Sequence, residues 1–396
     1  MKLHRSTAQA VVDALTDIFS GNRYADKVVE RVLKQNPKWG ARDRRFIAET
    51  TYDVVRWYRL LREVTQAGEH EFWKLLAAWC MWHEVELPSW DEFRGMTTTG
   101  WRDRWKDAQQ VRALRESVAD WMDELGAAEL GSAWDLELHA LNQPAQVVLR
   151  ANTLKTSRKE LQRQLFNQRV ETEPVAGHPD ALVLKQRQNV FQLAAFKNGW
   201  FEVQDAGSQA IAPFLRAEPG MRIIDACAGG GGKTLHLAAL TGNKGRIIAM
   251  DTEAWKLEEL KKRARRAEAT TIETRVIESS KTIKRLEAAA DRLLLDVPCS
   301  GLGVLKRNPD AKWKLTPDFL ARIRELQQKI LQDYSIMVKP GGLLVYSTCS
   351  LLPSENEQQV QQFLQTAENS FSLIEEKKIL PSQGFDGFYM ALLQRA

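Results

Sequence analysis

The sequence predicts an α/β fold whose second half is a doubly wound, mostly parallel sheet. A small α+β platform precedes that sheet, and an all-helical domain precedes the platform. Three observations predict this. From about residue 206, apolar runs rich in leucine or β-branched residues alternate with helix-like stretches, as strands covered on both faces require. Glycine runs lie in that half, as in Gly229-Gly230-Gly231-Gly232, whereas ten of the thirteen tryptophans fall between Trp39 and Trp134. The N-terminal stretch carries apolar residues at helical spacing.

Each region follows in chain order. Residues 1–135 form the helical domain: Val11, Val12, Leu15, Ile18 and Phe19 share one face, and Val28, Val29, Val32 and Leu33 repeat the pattern. Phe46, Ile47, Thr50, Val54 and Trp57 continue it behind Arg42-Asp43-Arg44-Arg45, which reads as a solvated helix start. The tryptophans are expected in the core. Residues 136–205 form the platform, with a strand at Val147–Asn152, a helix at Arg158–Gln168 and short strands at Val170–Pro174 and Ala181–Leu184. Residues 206–396 supply the sheet, through Met221–Cys227, Gly245–Asp251, Thr274–Ile277, Arg292–Val297 and Gly342–Ser347, with Phe388–Leu393 as an edge strand.

Composition sets the class. The 396 residues are 44% hydrophobic and 27% charged, with a net charge of +5. This suits a globular multidomain protein and permits a nucleic-acid partner. No apolar run is long enough to span a membrane, and the N-terminus has no apolar signal region. A cytosolic, monomeric enzyme is expected. The four cysteines, Cys80, Cys227, Cys299 and Cys349, lack the spacing of a metal site or a disulfide framework.

The strand Ile223-Ile224-Asp225-Ala226-Cys227-Ala228 runs into Gly229–Gly232 and then Lys233-Thr234. Glycines between a strand and a helix let backbone approach a ligand, and ligands in such sheets sit at the carboxyl ends of strands. The next strand ends at Asp251, where a carboxylate accepts from the two hydroxyls of a ribose. The phosphate-loop spacing is not met, because Cys227 stands where it needs glycine. A tight turn without a ligand is the alternative.

Two further strand ends carry thiols: Asp296-Val297-Pro298-Cys299-Ser300-Gly301 and Ser347-Thr348-Cys349-Ser350. One cysteine is usually a small buried apolar residue. Two at equivalent strand ends beside Asp296 favour chemistry. Carbon 5 of cytosine is a poor nucleophile, and a thiolate added at carbon 6 turns the ring into an enamine that is nucleophilic there. The second sulfur can then assist release. Asp296 can accept from the exocyclic amino group that cytosine has and uracil lacks, or, protonated, donate to ring nitrogen 3.

With these motifs the chain resembles the Nop–Sun family of RNA cytosine-5 methyltransferases, above all its bacterial Sun (RsmB-type) and Fmu-like members. Besides the two cysteine signatures, Asn142-Gln143-Pro144, Leu149-Arg150-Ala151-Asn152, Val203–Gln209, Asn308-Pro309-Asp310 after Leu305-Lys306-Arg307, and Asp386-Gly387-Phe388-Tyr389 carry the resemblance. Arg42–Phe46 resembles the NusB-type helical domain of the Sun branch. The resemblance implies that Cys349 is the nucleophile and that Cys299 assists product release. It implies S-adenosylmethionine as cofactor, held by Asp225, Cys227, Ala228, Gly229, Gly230, Gly231, Gly232, Lys233, Asp251 and Asp296. Asp296 would lie over the target base with Lys233 close by. Gln204, Asp205 and Ser208 would support the cofactor site, and Arg150 and Asn152 would belong to the RNA platform. The substrate implied is structured RNA: small-subunit ribosomal RNA by the Sun-type architecture, with transfer RNA open. Two departures stand out. The family usually has Ala-Pro at Gly229-Gly230, a change expected to loosen the turn. It also tends to carry an acidic residue near position 280, where this chain has Glu278-Ser279-Ser280.

Other readings stay open. Cys299 is the nucleophile if the chemistry follows DNA cytosine-5 enzymes, although the second thiol at Cys349 argues against it. An amino-group methyltransferase would have an aromatic residue where Cys299 stands. A non-catalytic RNA-binding assembly factor would use basic stretches such as Lys261-Lys262-Arg263 and Arg265-Arg266, which otherwise read as a solvated helix face.

Overall fold

The computed structural model describes residues 3–94, 100–366 and 370–396. Of the helical region expected over 1–135, positions 1–2 and 95–99 lie outside the described residues. The chain forms two compact units, Met1–Gln143 with Leu305–Pro317, and Pro144–Val304 with Asp318–Ala396.

The first unit is helical, beginning with Arg5–Phe19, Ala25–Gln35, Ala41–Arg56, Tyr58–Thr65 and Phe72–Trp82. The i, i+3, i+4 spacing buries Val11, Leu15 and Ile18 with Ile47, Val54, Leu61 and Leu76 in one core. Trp134 is fully buried and donates its indole N–H to Asp123 at 2.8 Å. Trp57 and Trp105 meet Trp82 at ring-centroid distances of 5.5 and 5.0 Å. These tryptophans pack core. Arg44 is not part of a solvated start, because it donates to the carbonyls of Leu33 at 2.8 Å and Trp39 at 3.0 Å and so satisfies carbonyls at and beyond the end of Ala25–Gln35.

Segment Leu305–Pro317 belongs to this unit. Lys312 is buried and donates to the carbonyls of Arg56, Glu116 and Ser117 at 3.1–3.2 Å and to Asn142 Oδ1 at 2.5 Å. Asp310, from the Asn308-Pro309-Asp310 motif, accepts the backbone N–H of Ala25 and pairs with Lys314. That motif serves packing here.

The second unit holds two sheets. β1 (Val148–Ala151), β2 (Thr172–Pro174), β3 (Ala181–Leu184) and β4 (Phe201–Val203) form an antiparallel sheet in the order β2-β3-β1-β4. The helix Arg158–Asn167 packs on it through Leu161 and Leu165, its start capped by Ser157, whose hydroxyl accepts from Glu160 N–H.

The second sheet contains β5 (Arg222–Asp225), β6 (Arg246–Asp251), β7 (Ile272–Val276), β8 (Ala290–Asp296), β9 (Val338–Thr348), β10 (Phe371–Ile379) and β11 (Phe388–Arg395). Its order is β10-β11-β9-β8-β5-β6-β7, with β9, β8, β5, β6 and β7 parallel and β11 and β10 antiparallel at one edge. Alternate residues enter separate cores. Ile224, Met250, Leu293 and Leu295 face one side; Ile223, Ile247, Ala249 and Leu294 face the other. The fold is therefore a doubly wound, mostly parallel α/β sheet. β10 was not expected from the sequence. It is a largely exposed edge strand whose Glu375-Glu376-Lys377-Lys378 run hides any apolar alternation and discourages pairing with another chain. The parallel strands β5, β6, β8 and β9 bring Asp225, Asp251, Asp296 and Thr348 to their carboxyl ends, on one edge of the sheet.

Candidate active site

The two thiols predicted at strand ends meet. Cys299, three residues beyond β8, and Cys349, one beyond β9, hold their sulfurs 3.2 Å apart. The hydrogen bond with Cys349 pushes the Cys299 pKa well above the usual thiol range, and burial and the charges of Cys349 and Glu355 add to it. Cys299 is therefore a sulfur that keeps its proton. Cys227 at the end of β5 is also held as a thiol, by burial and then by the charges of Asp225, Asp296 and Asp251. Cys80 lies in the helical core, where burial pushes its pKa to about 12.

Asp296 ends β8 and accepts from Lys233 Nζ at 2.6 Å and from the Ser347 hydroxyl at 2.9 Å. Burial alone would lower the Lys233 pKa. The charge and hydrogen bond of Asp296, with Cys349 and Asp225, outweigh burial and hold the ammonium above its ordinary value. Lys233 Nζ also lies 5.7 Å from the ring centroid of Phe388.

Asp225 ends β5 in full burial. The Thr234 hydroxyl donates to its Oδ2 at 2.6 Å, while Oδ1 is buried without a hydrogen-bond partner. Burial pushes its pKa to about 7, Asp296 adding and Thr234 opposing. Asp251 ends β6; its Oδ2 accepts the N–H of Gly229 and its Oδ1 that of Glu253, both at 2.9 Å.

The turn between β5 and the helix Gly232–Leu240 uses left-handed backbone at Gly229 (φ +52°) and Gly231 (φ +84°). A Cβ at Gly229 would meet nothing within 4 Å, so open space lies beside this backbone; at Gly231 it would meet Leu260 at 2.4 Å. The turn is tied from outside. Arg263 donates to the Gly230 carbonyl at 2.6 Å and Arg150 to that of Gly232 at 2.7 Å. Ala228 donates its N–H to Met250 O at 2.9 Å.

Several placements differ from those expected. Arg150 and Asn152 lie in and beside β1 of the small sheet, and both are buried. Arg150 bonds Gln204 and Gly232, and Asn152 donates to the carbonyls of Gly199 and Ala267. Lys261–Arg266 is not wholly a solvated face, because Arg263 and Arg266 turn inward onto buried Glu202. Gln204 donates to Ser208 at 3.1 Å, and Asp205 caps the turn at Gly207. Glu278, Ser279 and Ser280 are exposed beyond β7. Sequence reasoning missed Thr234, Ser347, Arg263 and Glu355. The repeat of Cys-Ser at 299–300 and 349–350 was the available signal for the last.

Residues 212–394 match the family model described as 16S rRNA methyltransferase RsmB/F, and residues 118–191 match the ferredoxin-like domain of the same family. A probable ribosomal RNA small subunit methyltransferase B of Synechocystis sp. is 36% identical, over 92% of this chain and 90% of that protein. A ribosomal RNA small subunit methyltransferase B of Vibrio cholerae is 35% identical, over 73% of this chain and 68% of that protein. Among solved structures, a methyltransferase homolog from Pyrococcus horikoshii superposes with a TM-score of 0.65 at 26% identity, covering 73% of this chain and 99% of its own. The structure of PH0851 shares the fold over 100% of both chains, with a TM-score of 0.84 at 23% identity.

Proposed function

This chain belongs to the RsmB/F family of 16S rRNA methyltransferases, and from that premise we propose that it methylates carbon 5 of a cytosine in small-subunit ribosomal RNA. The observation that carries the reading is the pair of sulfurs 3.2 Å apart beside Asp296 and Lys233. Methylation of an exocyclic amino group needs no thiol, whereas methylation of carbon 5 needs one to add and then leave.

S-adenosylmethionine, when bound, supplies an electrophilic methyl group. The residues present fit it: Asp251 would accept from its ribose hydroxyls, open space lies beside the backbone at Gly229, and the unpartnered Oδ1 of Asp225 would accept from its ammonium. The roles of the chain's own side chains follow. Asp296 keeps lone pairs for the cytosine amino group after its bonds to Lys233 and Ser347. Cys349 adds through sulfur to carbon 6 as its thiol proton passes to ring nitrogen 3, and the resulting enamine is nucleophilic at carbon 5. After methylation water, as base, takes the carbon 5 proton, the carbon–sulfur bond breaks, and the electron pair returns to Cys349, which recovers the proton from ring nitrogen 3. The Cys299 thiol, still protonated, hydrogen-bonds to that departing sulfur. A stacked cytosine offers no face to Cys349, so the target base is unpaired or flipped out of its stem.

Incubation with radiolabelled S-adenosylmethionine and, in parallel, unmodified small-subunit ribosomal RNA or transfer RNA, followed by bisulfite mapping, is the test. Label at carbon 5 of one unpaired cytosine is expected. Label confined to transfer RNA, or to an exocyclic nitrogen, would overturn the reading.

A further inference from the structure

Behind the two sulfurs lies one buried carboxylate. Glu355 ends the short turn Pro353–Glu355 after β9 and is fully buried. Its Oε1 accepts from the hydroxyls of Ser300 and Ser350, both at 2.5 Å. Its Oε2 accepts the backbone N–H of Ser300 at 2.8 Å and the amide of Gln327 at 2.9 Å. Ser300 follows Cys299 and Ser350 follows Cys349, so this carboxylate grips the residue next to each sulfur. Gln327 also donates to the Pro298 carbonyl at 2.9 Å, on the other side of Cys299. Glu355 is itself fixed, for the Tyr346 hydroxyl donates to its carbonyl at 2.7 Å. The neighbouring Asn356 accepts from Thr348 and donates to the Ser350 carbonyl at 3.0 Å.

We propose that Glu355 is a positioning residue that sets the distance between the two sulfurs by holding Ser300 and Ser350 on a single carboxylate. The cysteine loops leave neighbouring strands and also touch directly, through the Gly303 N–H on the Cys349 carbonyl at 2.8 Å and the Ser300 and Ser350 hydroxyls at 3.2 Å; Glu355 adds a buried carboxylate that bonds the residue next to each sulfur. A carboxylate suits this place because all four partners are donors, and an ionised carboxylate is acceptor only. Glutamine would turn its NH2 either toward the Ser300 N–H and the Gln327 amide, which donate there, or toward the two hydroxyls, which would then have to accept and could no longer both donate to one oxygen. The role deepens the methyl-transfer reading and rests on it for its consequence, though not for its geometry.

The test separates the two. Diamide, a small thiol oxidant, takes one hydrogen from each thiol onto its N=N bond while a sulfur–sulfur bond forms, and the rate of that closure reports the gap without RNA or cofactor. The parent protein, Glu355→Gln and a Ser300→Ala/Ser350→Ala double variant are treated with diamide, and the Cys299–Cys349 link is counted by mass spectrometry. Variants that melt within a few degrees of the parent are expected to close at least about 10-fold more slowly. In steady-state methylation they are expected to lose kcat by a similar factor with KM for RNA unchanged, and Glu355→Asp is expected to recover part of it. If Glu355→Gln does not fold, the double variant, which removes only two hydroxyls, decides. Closure at the parental rate in a folded variant overturns the proposal. A parent that closes rapidly yet methylates no RNA defeats the methyl-transfer reading and leaves the positioning role standing on the closure rates.

Discussion

Replacing Asp251 tests the cofactor end of the sheet most directly. Each carboxylate oxygen has two lone pairs. One on each oxygen is taken by backbone N–H, from Gly229 and Glu253 at 2.9 Å. Lys256 Nζ stands 3.8 Å from Oδ1, beyond hydrogen-bond distance, so the other two lone pairs can take ribose hydroxyls. A hydrogen bond to a charged group contributes about 1.5–3 kcal/mol, and about 1.4 kcal/mol corresponds to tenfold in affinity. Asp251→Ala is therefore expected to weaken S-adenosylmethionine binding by about 10- to 100-fold. It also leaves two N–H groups without their acceptor, at about 1–3 kcal/mol for each that stays dry, so the cofactor-free protein should melt earlier. Asp251→Asn should be nearly as impaired, because its NH2 must face one of two donors. Calorimetric titration with S-adenosylmethionine, thermal melting and RNA binding at fixed salt are the assays, with RNA binding expected to hold. Parental cofactor affinity in a folded Asp251→Ala protein would refute the reasoning, because neither this strand end nor the glycine turn would then hold the ribose.

Cys349→Ala is expected to abolish methylation, whereas Cys299→Ala should accumulate a covalent protein–RNA adduct on a denaturing gel; an adduct from Cys349→Ala alone would exchange the two roles. Asp225 supplies a pH signature. Its pKa is raised by burial from 3.8 to about 7, so its contribution to stability is fully present below the unfolded value and is lost as pH rises toward 7. About three units at roughly 1.36 kcal/mol each give on the order of 4 kcal/mol. Melts of the cofactor-free protein between pH 5 and 8 should fall for the parent and stay flatter for Asp225→Asn, and parallel profiles would contradict this. In the helical unit, Arg42 and Arg45 are exposed but Arg44 is spent on carbonyls. Loss of Arg42 and Arg45 should flatten the salt dependence of RNA binding by roughly 0.7–0.9 per lost phosphate contact, while Arg44→Ala should lower the melting temperature; an unchanged slope in the first pair would make that cluster structural throughout.

How much was legible varies with the source of the signal. The parallel strands were legible because both of their faces are buried, so each reads as an unbroken apolar run. Edge strand β10 was not, because both of its faces are exposed over most of its length and four successive charges erase the period. At the site, residues whose chemistry is peculiar to their type were found from sequence: two thiols at strand ends, a carboxylate ending β6, glycines in a turn. Residues that act by holding others were missed or misassigned. Arg150, Arg263 and Glu355 look like ordinary surface charges in a string of letters. Their roles rest on contacts across 82, 33 and 55 residues of chain, which no local pattern reports. Lys312 is the same case in the helical unit, a lysine buried among four oxygen acceptors.

The glycine turn shows how such distant contacts offset a local departure. Two glycines in place of Ala-Pro widen the unfolded ensemble, at about 0.4–1 kcal/mol for each position. Here, however, Gly229 lies at φ +52°, where an alanine would itself cost about 1–2 kcal/mol. Glycine is thus the residue this conformation requires, not a loss at that position. What remains is the missing stiffness at Gly230, and two arginines act on it. Arg263 grips the Gly230 carbonyl and Arg150 that of Gly232, while Asp251 holds the N–H of Gly229. Hydrogen bonds to a charged partner contribute about 1.5–3 kcal/mol each, more than the entropy that one proline would have removed. The arginines are in turn held by groups outside the turn: Arg263 by Glu202 and Arg150 by Gln204. Glu202 is on β4 and Gln204 follows it, so the small antiparallel sheet supplies the stiffness that the turn's own sequence lacks.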